Sequence, residues 1–196
     1  MRLLLIGAPG AGKGTQATMI ADHFGLVHLS SGDLLRENVR SGTEIGLTAK
    51  SFMDSGNLVP DDVVLEMLRE PVIAAAAAGG YVLDGFPRTV EQAEAGYDIA
   101  KPLGVSVQVA VHLDVPREAL VARIVERGLT SGRADDTEEV VARRLDVYDE
   151  HTQPLLAYYR DRERLLTVNG DLPVEQVTAS VVAQLELVRQ ELDAEQ

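Results

Sequence analysis

The sequence has no cysteine and no tryptophan, and aromatic residues make up only 4% of its 196 residues. A chain without cysteine can form neither disulfides nor thiolate metal sites, which fits a reducing, cytoplasmic setting. No apolar run approaches the ~18 residues of a membrane-spanning helix, and Leu3–Ile6 is shorter than the ~7–15-residue core of a signal peptide. Together these absences predict a soluble protein that is not exported.

Lysine is also scarce, since the chain has three lysines against fifteen arginines, and its formal net charge is −13. Nucleic-acid-binding proteins usually present a basic surface, so this charge argues against such a partner. Arginine carries a rigid fork of donors that suits phosphate. A few converging arginines can therefore bind a small anion within an otherwise acidic protein.

Short apolar runs alternate with helical patterns along the chain. This alternation is typical of right-handed βαβ units whose parallel strands are covered by helices on both faces. It predicts an α/β, three-layer P-loop fold with a central five-stranded parallel sheet. The predicted strands are Leu3–Ile6, Leu26–Leu29, Tyr81–Leu83, Val107–Leu113 and Leu165–Val168.

A glycine-rich segment, Gly7–Thr15, lies between the first strand and a predicted helix over Thr15–Phe24. Glycines without Cβ let successive backbone N–H groups and the positive end of a helix point at one anion. Lys13 adds a charge where the β and γ phosphates of a nucleotide would lie, although Gly14 stands where the usual phosphate loop has Ser or Thr. The segment predicts a phosphate site, with an ordinary glycine-rich turn as the alternative.

A second polar motif, Asp84-Gly85-Phe86-Pro87-Arg88, follows the third predicted strand. The carboxyl ends of parallel strands share one edge of a sheet, so we expect Asp84 near the bound phosphates. A carboxylate there suits hydrated Mg²⁺. The Arg88 guanidinium can donate two parallel hydrogen bonds to a second phosphate. A strand-end aspartate that caps a turn, with Arg88 on the surface, is the alternative.

Residues 30–59 fit poorly as helices that cover a sheet. They are interpreted as a small helical insert with helices over Asp33–Arg40 and Thr43–Ser55. Ser31, or else Asp33, is the predicted N-cap of the first of these helices. After the insert the sequence predicts a helix over Asp61–Arg69, and Pro71 either starts a second helix or kinks the first.

A polar loop over residues 128–136 separates two predicted helices and is interpreted as a lid. The helix before it, Arg117–Arg127, is predicted to end at Gly128, and Asp136 with Glu139 resembles a capping box. Arginines grouped around this loop are interpreted as a clamp for the negative charge of a transferring phosphoryl group, with a solvated surface as the alternative. They are Arg123, Arg127, Arg133 and Arg144. The four histidines show no spacing for a metal or a nucleophile and are interpreted as structural.

Four motifs in this order resemble those of the nucleoside monophosphate kinases, and among them the adenylate kinase family. They lie at residues 7–15, at 31–36, at 84–88 with Gln92, and at 132–136 ahead of Arg144. The resemblance implies reversible phosphoryl transfer, MgATP plus AMP giving two ADP. It implies a core (1–29, 60–126 and 137–196), an insert that binds the nucleoside monophosphate (NMP; 30–59) and a short lid (127–136).

The resemblance also implies roles for individual residues. ATP would contact Gly10, Ala11, Gly12, Lys13, Gly14, Thr15, Arg123, Arg127 and Leu172. AMP would contact Ser31, Arg36, Asn57, Leu58, Val59, Gly85, Phe86, Pro87, Arg88, Gln92, Arg133 and Arg144. Lys13, Arg88, Arg123, Arg133 and Arg144 would be catalytic, and Mg²⁺ would be held through water near Asp33 and Asp84.

Two departures from the family pattern bear on specificity and metal content. Ser31 stands where adenylate kinases commonly have Thr, which leaves a UMP/CMP kinase as an alternative, although Asp84 favours the adenylate kinases. The short lid predicts no structural zinc. The chain is expected to act as a monomer, without nucleic-acid or membrane partners. A nucleotide-binding regulator without catalysis is a further alternative from a different functional class.

Overall fold

The computed structural model describes residues 1–131, 138–162 and 164–194. Five strands form one parallel sheet in the order β2-β3-β1-β4-β5. The sheet confirms the predicted fold class, and each strand end lies within two residues of its predicted position. The strands are β1 (Arg2–Ile6), β2 (Val27–Ser30), β3 (Tyr81–Asp84), β4 (Val109–Asp114) and β5 (Arg164–Asn169).

Helices cover both faces of this sheet. They are α1 (Lys13–Phe24), α2 (Ser31–Ser41), α3 (Glu44–Asp54), α4 (Asp61–Ala77), α5 (Val90–Ala100), α6 (Arg117–Ser131), α7 (Glu138–Val147), α8 (Leu155–Arg162) and α9 (Val174–Ala194). A single π-helical turn, Tyr148–Thr152, follows α7 and is called the π-turn below. Among the described residues, no helix combines the length and apolar character needed to cross a membrane.

Alternate residues of β1 enter two separate apolar cores, because successive side chains of a strand point to opposite faces. Leu3 and Leu5 pack with α1, α6, α7 and α9. Leu4 and Ile6 pack with helices α2 to α5 and α8 on the other face. The side chains of Leu3–Ile6 are at most 3% exposed. The glycine-rich segment therefore follows a strand that is packed on both faces.

The strand register brings the polar strand ends to one edge. Leu5 of β1 pairs with Asp84 of β3, and Asp84 pairs with Ser30 of β2. The glycine-rich segment, the Asp84–Arg88 turn and the start of α2 therefore leave the sheet side by side, as the parallel arrangement predicts.

Two predicted helix details are wrong, and one of the two alternatives at Pro71 is excluded. Helix α6 runs through Gly128 to Ser131, because glycine inside a helix costs only about 1 kcal/mol and stops a helix only where it turns left-handed. No second helix starts at Pro71, which lies inside α4 between the buried Leu68 and Ala75 that anchor its two halves. The N-cap of α2 is Ser30, whose Oγ accepts from the Asp33 N–H at 3.2 Å. Asp136 lies outside the described residues.

Candidate active site

The glycine-rich segment wraps into a cradle at the N-terminus of α1. Gly10 and Gly12 take left-handed conformations, with φ of 84° and 86°. Gly12 is the N-cap of α1 and supplies no side chain to its first turn, so those N–H groups can point at an anion. Lys13 Nζ donates to the carbonyls of Gly7 at 2.8 Å and Ala8 at 3.1 Å, which folds the ammonium over the loop.

The cradle is packed against α6. A Cβ at Gly10 would lie 2.7 Å from Ile124 Cγ1 and 2.9 Å from the Leu120 carbonyl oxygen. Both α6 residues are buried. Gly10 is therefore required for its backbone conformation and for the close approach of the helix, and the helix that leads to the predicted lid supports the phosphate cradle directly.

Asp84 faces the cradle from the end of β3. Its side chain is buried, and its Oδ2 lies 3.7 Å from the position that a Cβ on Gly14 would occupy. Hard oxygen ligands suit Mg²⁺, which commonly takes one or two carboxylates and completes its shell with phosphate and water. No group of three or more metal-ligating side chains is found among the described residues. The Asp84 carboxylate fits an ion whose shell is completed by nucleotide phosphates and water.

Asp33, the other predicted carboxylate, lies in the insert and is exposed. It forms an ion pair with Arg36, with Oδ1 2.5 Å from Nη2. The side chain of Arg36 also folds over Gly32, where a Cβ would lie 3.2 Å from Nη2. Asp33 thus lies in the first turn of α2 and Arg36 three residues further along the helix, and their charges are engaged with each other.

Arg88 is fixed by hydrogen bonds from several elements. Its Nε donates to the Gly85 carbonyl at 2.8 Å, and its backbone N–H donates to Gln92 Oε1 at 2.8 Å. The other end of the buried Gln92 amide donates to Asp61 Oδ1 at 2.7 Å. The carbonyl of Arg88 accepts from the Thr152 hydroxyl at 2.8 Å. Sequence reasoning missed Asp61 and Thr152, because neither belongs to a motif that shows in the chain.

Ser31 brings a buried polar atom next to the Asp84–Arg88 turn. The residue is 1% exposed, and its hydroxyl has no hydrogen-bond partner within the described part of the chain. Its Oγ would lie 2.6 Å from a Cβ on Gly85, which has φ of 81°. A buried hydroxyl without a partner is costly, so this oxygen is suited to a ligand. The small cavity around it is lined by Ser31, Leu35, Leu58, Val59, Val64, Gly85, Arg88 and Gln92.

The structure brings three of the predicted cations into one cleft. Lys13 comes from α1, Arg88 from the turn after β3, and Arg144 from α7, and all three line this cleft. Gly56, Leu58, Gly85, Pro87, Tyr148 and Thr152 line it as well. The cleft thus connects the phosphate cradle with the Ser31 cavity through their shared residues Leu58, Gly85 and Arg88.

The insert touches α7 across this cleft. A Cβ at Gly56 would lie 3.1 Å from the Val140 carbonyl oxygen and 3.3 Å from Arg144 Cγ. Arg143 Nε donates to Asn57 Oδ1 at 3.1 Å. The Asn57 side chain is therefore engaged with α7, so that a ligand contact from Asn57 would have to come from its backbone.

Other predicted site residues are placed differently. Arg123 does not line the cleft described here. Its Nη1 donates to the Gly170 carbonyl and its Nη2 to Asp171 Oδ1, both at 3.0 Å, beside the partly exposed Leu172. Phe86 is buried against Gly96, so its ring points into the core. The Arg127 side chain and all of Arg133 lie outside the described residues.

Two titratable groups near the cleft stay neutral around pH 7. Burial raises the pKa of the Tyr148 hydroxyl to about 12, with the charges of Asp149 and Asp114 acting in the same direction. Burial lowers the pKa of His112 from its usual 6.5, and Asp114 opposes the shift. The side chains that line the cleft therefore offer fixed cations and neutral donors. Such a site can bind and polarise phosphates without moving a proton.

Comparisons with known proteins agree with this geometry. The family model described as "Adenylate kinase" matches residues 5–164. The chain is 45% identical over 184 residues to "Adenylate kinase 1" of Nostoc sp., covering 94% of this chain and 98% of that protein. It is 44% identical over 181 residues to an adenylate kinase of Leptospira biflexa, covering 92% and 97%. It is 47% identical over 192 residues to one of Nitrobacter hamburgensis, covering 95% and 92%.

The matched region runs from β1 almost to β5 and so includes the phosphate cradle, the insert, the Asp84–Arg88 turn and α7. By the extent of this match, and by the identity to relatives over nearly their whole length, the chain belongs to the adenylate kinase family of nucleoside monophosphate phosphotransferases.

Proposed function

We propose that the chain catalyses the reversible transfer of the γ-phosphoryl group of MgATP to AMP, giving two ADP. The observation that carries this proposal is the single cleft in which Lys13, Arg88 and Arg144 meet between the phosphate cradle and the Ser31 cavity. Two phosphate-binding ends joined by cations are what a transfer between two nucleotides requires.

On the ATP side, the backbone N–H groups of Gly10 to Thr15 would hold the phosphates and Lys13 would leave its loop carbonyls for the β and γ phosphates. Arg123 would add a contact to the ATP phosphates, Arg127 would add a lid contact, and Leu172 would lie at the base end. Asp84 would hold Mg²⁺ through water, and it is a stronger candidate than Asp33, whose charge is paired with Arg36. The ion supplies positive charge to the phosphate oxygens.

On the AMP side, the Ser31 hydroxyl and the backbones of Asn57 to Val59 would bind the nucleoside. Arg36, Arg88, Arg133 and Arg144 would bind its phosphate. The backbone of Gly85 to Pro87 would form the wall of the site, and Gln92 would act through its bond to Arg88 and through its remaining donor. The apolar lining from Leu35 and Val64 suits the face of a base.

The proposed chemistry is direct in-line displacement. A phosphate oxygen of AMP is already ionised at neutral pH and needs no general base. The arginines stabilise charge that spreads over the transferring phosphoryl group, which is worth about 10³–10⁵ in rate for a well-placed arginine. Closure of the insert (30–59) and the lid (127–136) over the cleft would exclude water that would otherwise hydrolyse ATP.

The test is a coupled assay of ADP formation with MgATP and each of AMP, CMP, UMP and GMP. We expect AMP to be the preferred acceptor by at least about tenfold in kcat/KM, since the buried Ser31 hydroxyl and the Gln92 amide would hydrogen-bond to the acceptor nucleotide. A preference for CMP or UMP would overturn the base assignment. Binding of ATP by calorimetry without formation of any diphosphate would overturn the enzymatic role.

We further propose that the protein works as a monomer in a reducing cytoplasm, with nucleotides as its ligands. The absence of cysteine supports the compartment, because the fold depends on no disulfide. Light scattering coupled to gel filtration tests the monomer, for which a mass near 21.1 kDa is expected. A mass near twice that value would contradict it.

A further inference from the structure

Thr152 ends the π-turn and points at the Asp84–Arg88 turn. The Gln153 N–H donates to the Tyr148 carbonyl at 2.9 Å, which is the i to i+5 bond of a π-helix. Thr152 is 8% exposed, and its Oγ1 donates to the Arg88 carbonyl at 2.8 Å. The extra residue of a π-turn rotates the downstream side chains by ~100° relative to a continuous α-helix. The π-turn therefore decides that this hydroxyl faces Arg88.

The backbone of Arg88 is held on both sides by buried side chains. Gln92 of α5 accepts its N–H, and Thr152 of the π-turn donates to its carbonyl. The guanidinium leaves this fixed peptide and folds back to the Gly85 carbonyl through Nε. A displacement of the peptide moves the guanidinium with it, and errors of ~1 Å in the position of a reacting group can cost ~100-fold in rate.

The π-turn also continues the helix that carries Arg144. Arg144 lies eight residues before Thr152, and both residues line the cleft with Arg88. The Thr152 hydroxyl thus joins the segment that presents one cation to the backbone that presents the other. Two cations that must grip the same phosphoryl group need a fixed distance between them.

We propose that Thr152 is a positioning residue that sets Arg88 relative to Arg144. The inference rests on the proposed function of the cleft. Thr152 touches no reacting atom in this role, and its methyl group contributes only packing. The hydroxyl donor is the functional part, because without it the part-buried Arg88 carbonyl loses the hydrogen bond from Thr152.

The experiment replaces Thr152 with valine, which keeps the shape and removes the donor. We expect kcat/KM for AMP to fall about 5- to 30-fold, the loss of one buried hydrogen bond together with misplacement of Arg88. KM for ATP should stay within about twofold, because the Thr152 hydroxyl donates to the Arg88 carbonyl and not to a group of the phosphate cradle. Thr152→Ser restores the donor and should recover AMP kinetics to within about threefold of wild type.

Tyr81→Phe is the matched control. It removes another buried hydroxyl that donates to a backbone carbonyl, that of Val105 at 2.7 Å, away from the cleft. We expect a comparable drop in thermal stability for Tyr81→Phe and Thr152→Val, with AMP kinetics changed in the latter alone. If Thr152→Val does not fold, Thr152→Ala provides the same comparison, with its fold checked by circular dichroism.

Unchanged AMP kinetics in Thr152→Val would overturn the role of Thr152, and so would equal losses for AMP and ATP. Failure of Thr152→Ser to recover AMP kinetics would overturn it as well. In each case an active wild type leaves the proposed function standing. A wild type that forms no ADP from AMP and MgATP would overturn the function itself.

Discussion

The two ends of the cleft are built in different ways. The ATP end is one contiguous segment, residues 7–15, whose backbone forms the cradle and whose Lys13 rests on carbonyls of its own loop. The AMP end combines side chains from α2, α5 and the π-turn around the peptide of Arg88.

This difference indicates which substitutions should impair each end of the cleft. A cradle made of backbone depends on glycine conformations and on one charge. A pocket made of converging side chains depends on single polar atoms, because each buried donor or acceptor loses its partner when its neighbour is replaced. Substitutions at the two ends should therefore separate ATP parameters from AMP parameters.

Lys13→Met is expected to have the largest effect, since it removes the charge on which the ATP end depends. We expect kcat to fall by about 10²–10³-fold, the cost of losing one preorganised donor to a developing charge. The fold should persist, because the half-buried stem of Lys13 is replaced by a chain of similar length. Coupled assay and thermal melting measure the two effects. Lys101→Met, at an exposed lysine stacked on Tyr97, is the control. Near-normal turnover in Lys13→Met would contradict the assignment.

Gly85→Ala tests the AMP end. The substitution strains a residue with φ of 81° and places a methyl group 2.6 Å from Ser31 Oγ. We expect KM for AMP to rise about 10- to 100-fold with little change in KM for ATP, and stability to fall by about 1–3 kcal/mol. Gly104→Ala has a similar φ of 67° with no atom within 4 Å of the added Cβ. It should show the loss of stability alone. Equal AMP kinetics in both variants would contradict the proposed pocket.

Ser31→Ala and Ser30→Ala compare two neighbouring hydroxyls. Ser31 is buried without a partner in the described chain, so its loss should raise KM for AMP about 5- to 10-fold and leave the melting temperature unchanged or slightly higher. Ser30 caps α2, so its loss should cost about 1 kcal/mol of stability and affect AMP little. Steady-state kinetics and thermal melting separate the two. The reverse pattern would refute a ligand role for Ser31.

The smallest effect is expected at His112, which pairs with Ile6 at the floor of the cleft. Burial holds its folded pKa below 6.5, so the unfolded state takes up a proton first as the pH falls. The stabilising contribution is full above about pH 6.5 and is lost as the pH falls from there through the folded pKa. His112→Gln should flatten the decline in melting temperature between pH 7 and 5 relative to the wild type. Identical slopes would contradict this origin.

Much of the fold follows from local patterns. Mostly apolar runs of three to seven residues predict all five strands. A parallel strand is buried on both faces, so its own sequence is apolar enough to identify it. Local signals failed where tertiary packing outweighs them. Gly128 remains helical within α6, and no second helix starts at Pro71, which lies inside α4.

The site, too, has features that a local sequence pattern predicts and features that it does not. The phosphate cradle can be predicted because its glycines, lysine and helix start are consecutive. Gln92 stays a predicted AMP contact, and the structure adds that its amide joins Arg88 to Asp61, a link that no motif in the sequence reveals. Arg123 was grouped with the other arginines by sequence distance, yet it bonds to Gly170 and Asp171. Contacts between residues tens of positions apart leave no mark in a single sequence.

The amino-acid sequence by itself determined the α/β class and the anion cradle, because the apolar runs of the strands, the helical patterns and the consecutive glycines are features of short stretches of chain. The tertiary structure alone decided which side chains hold Arg88, which serine caps α2, and which hydroxyl is buried without a partner among the described residues. Those outcomes depend on how α2, α5 and the π-turn pack against the sheet edge, since a buried polar group is satisfied only by the atoms that packing brings within about 3 Å of it.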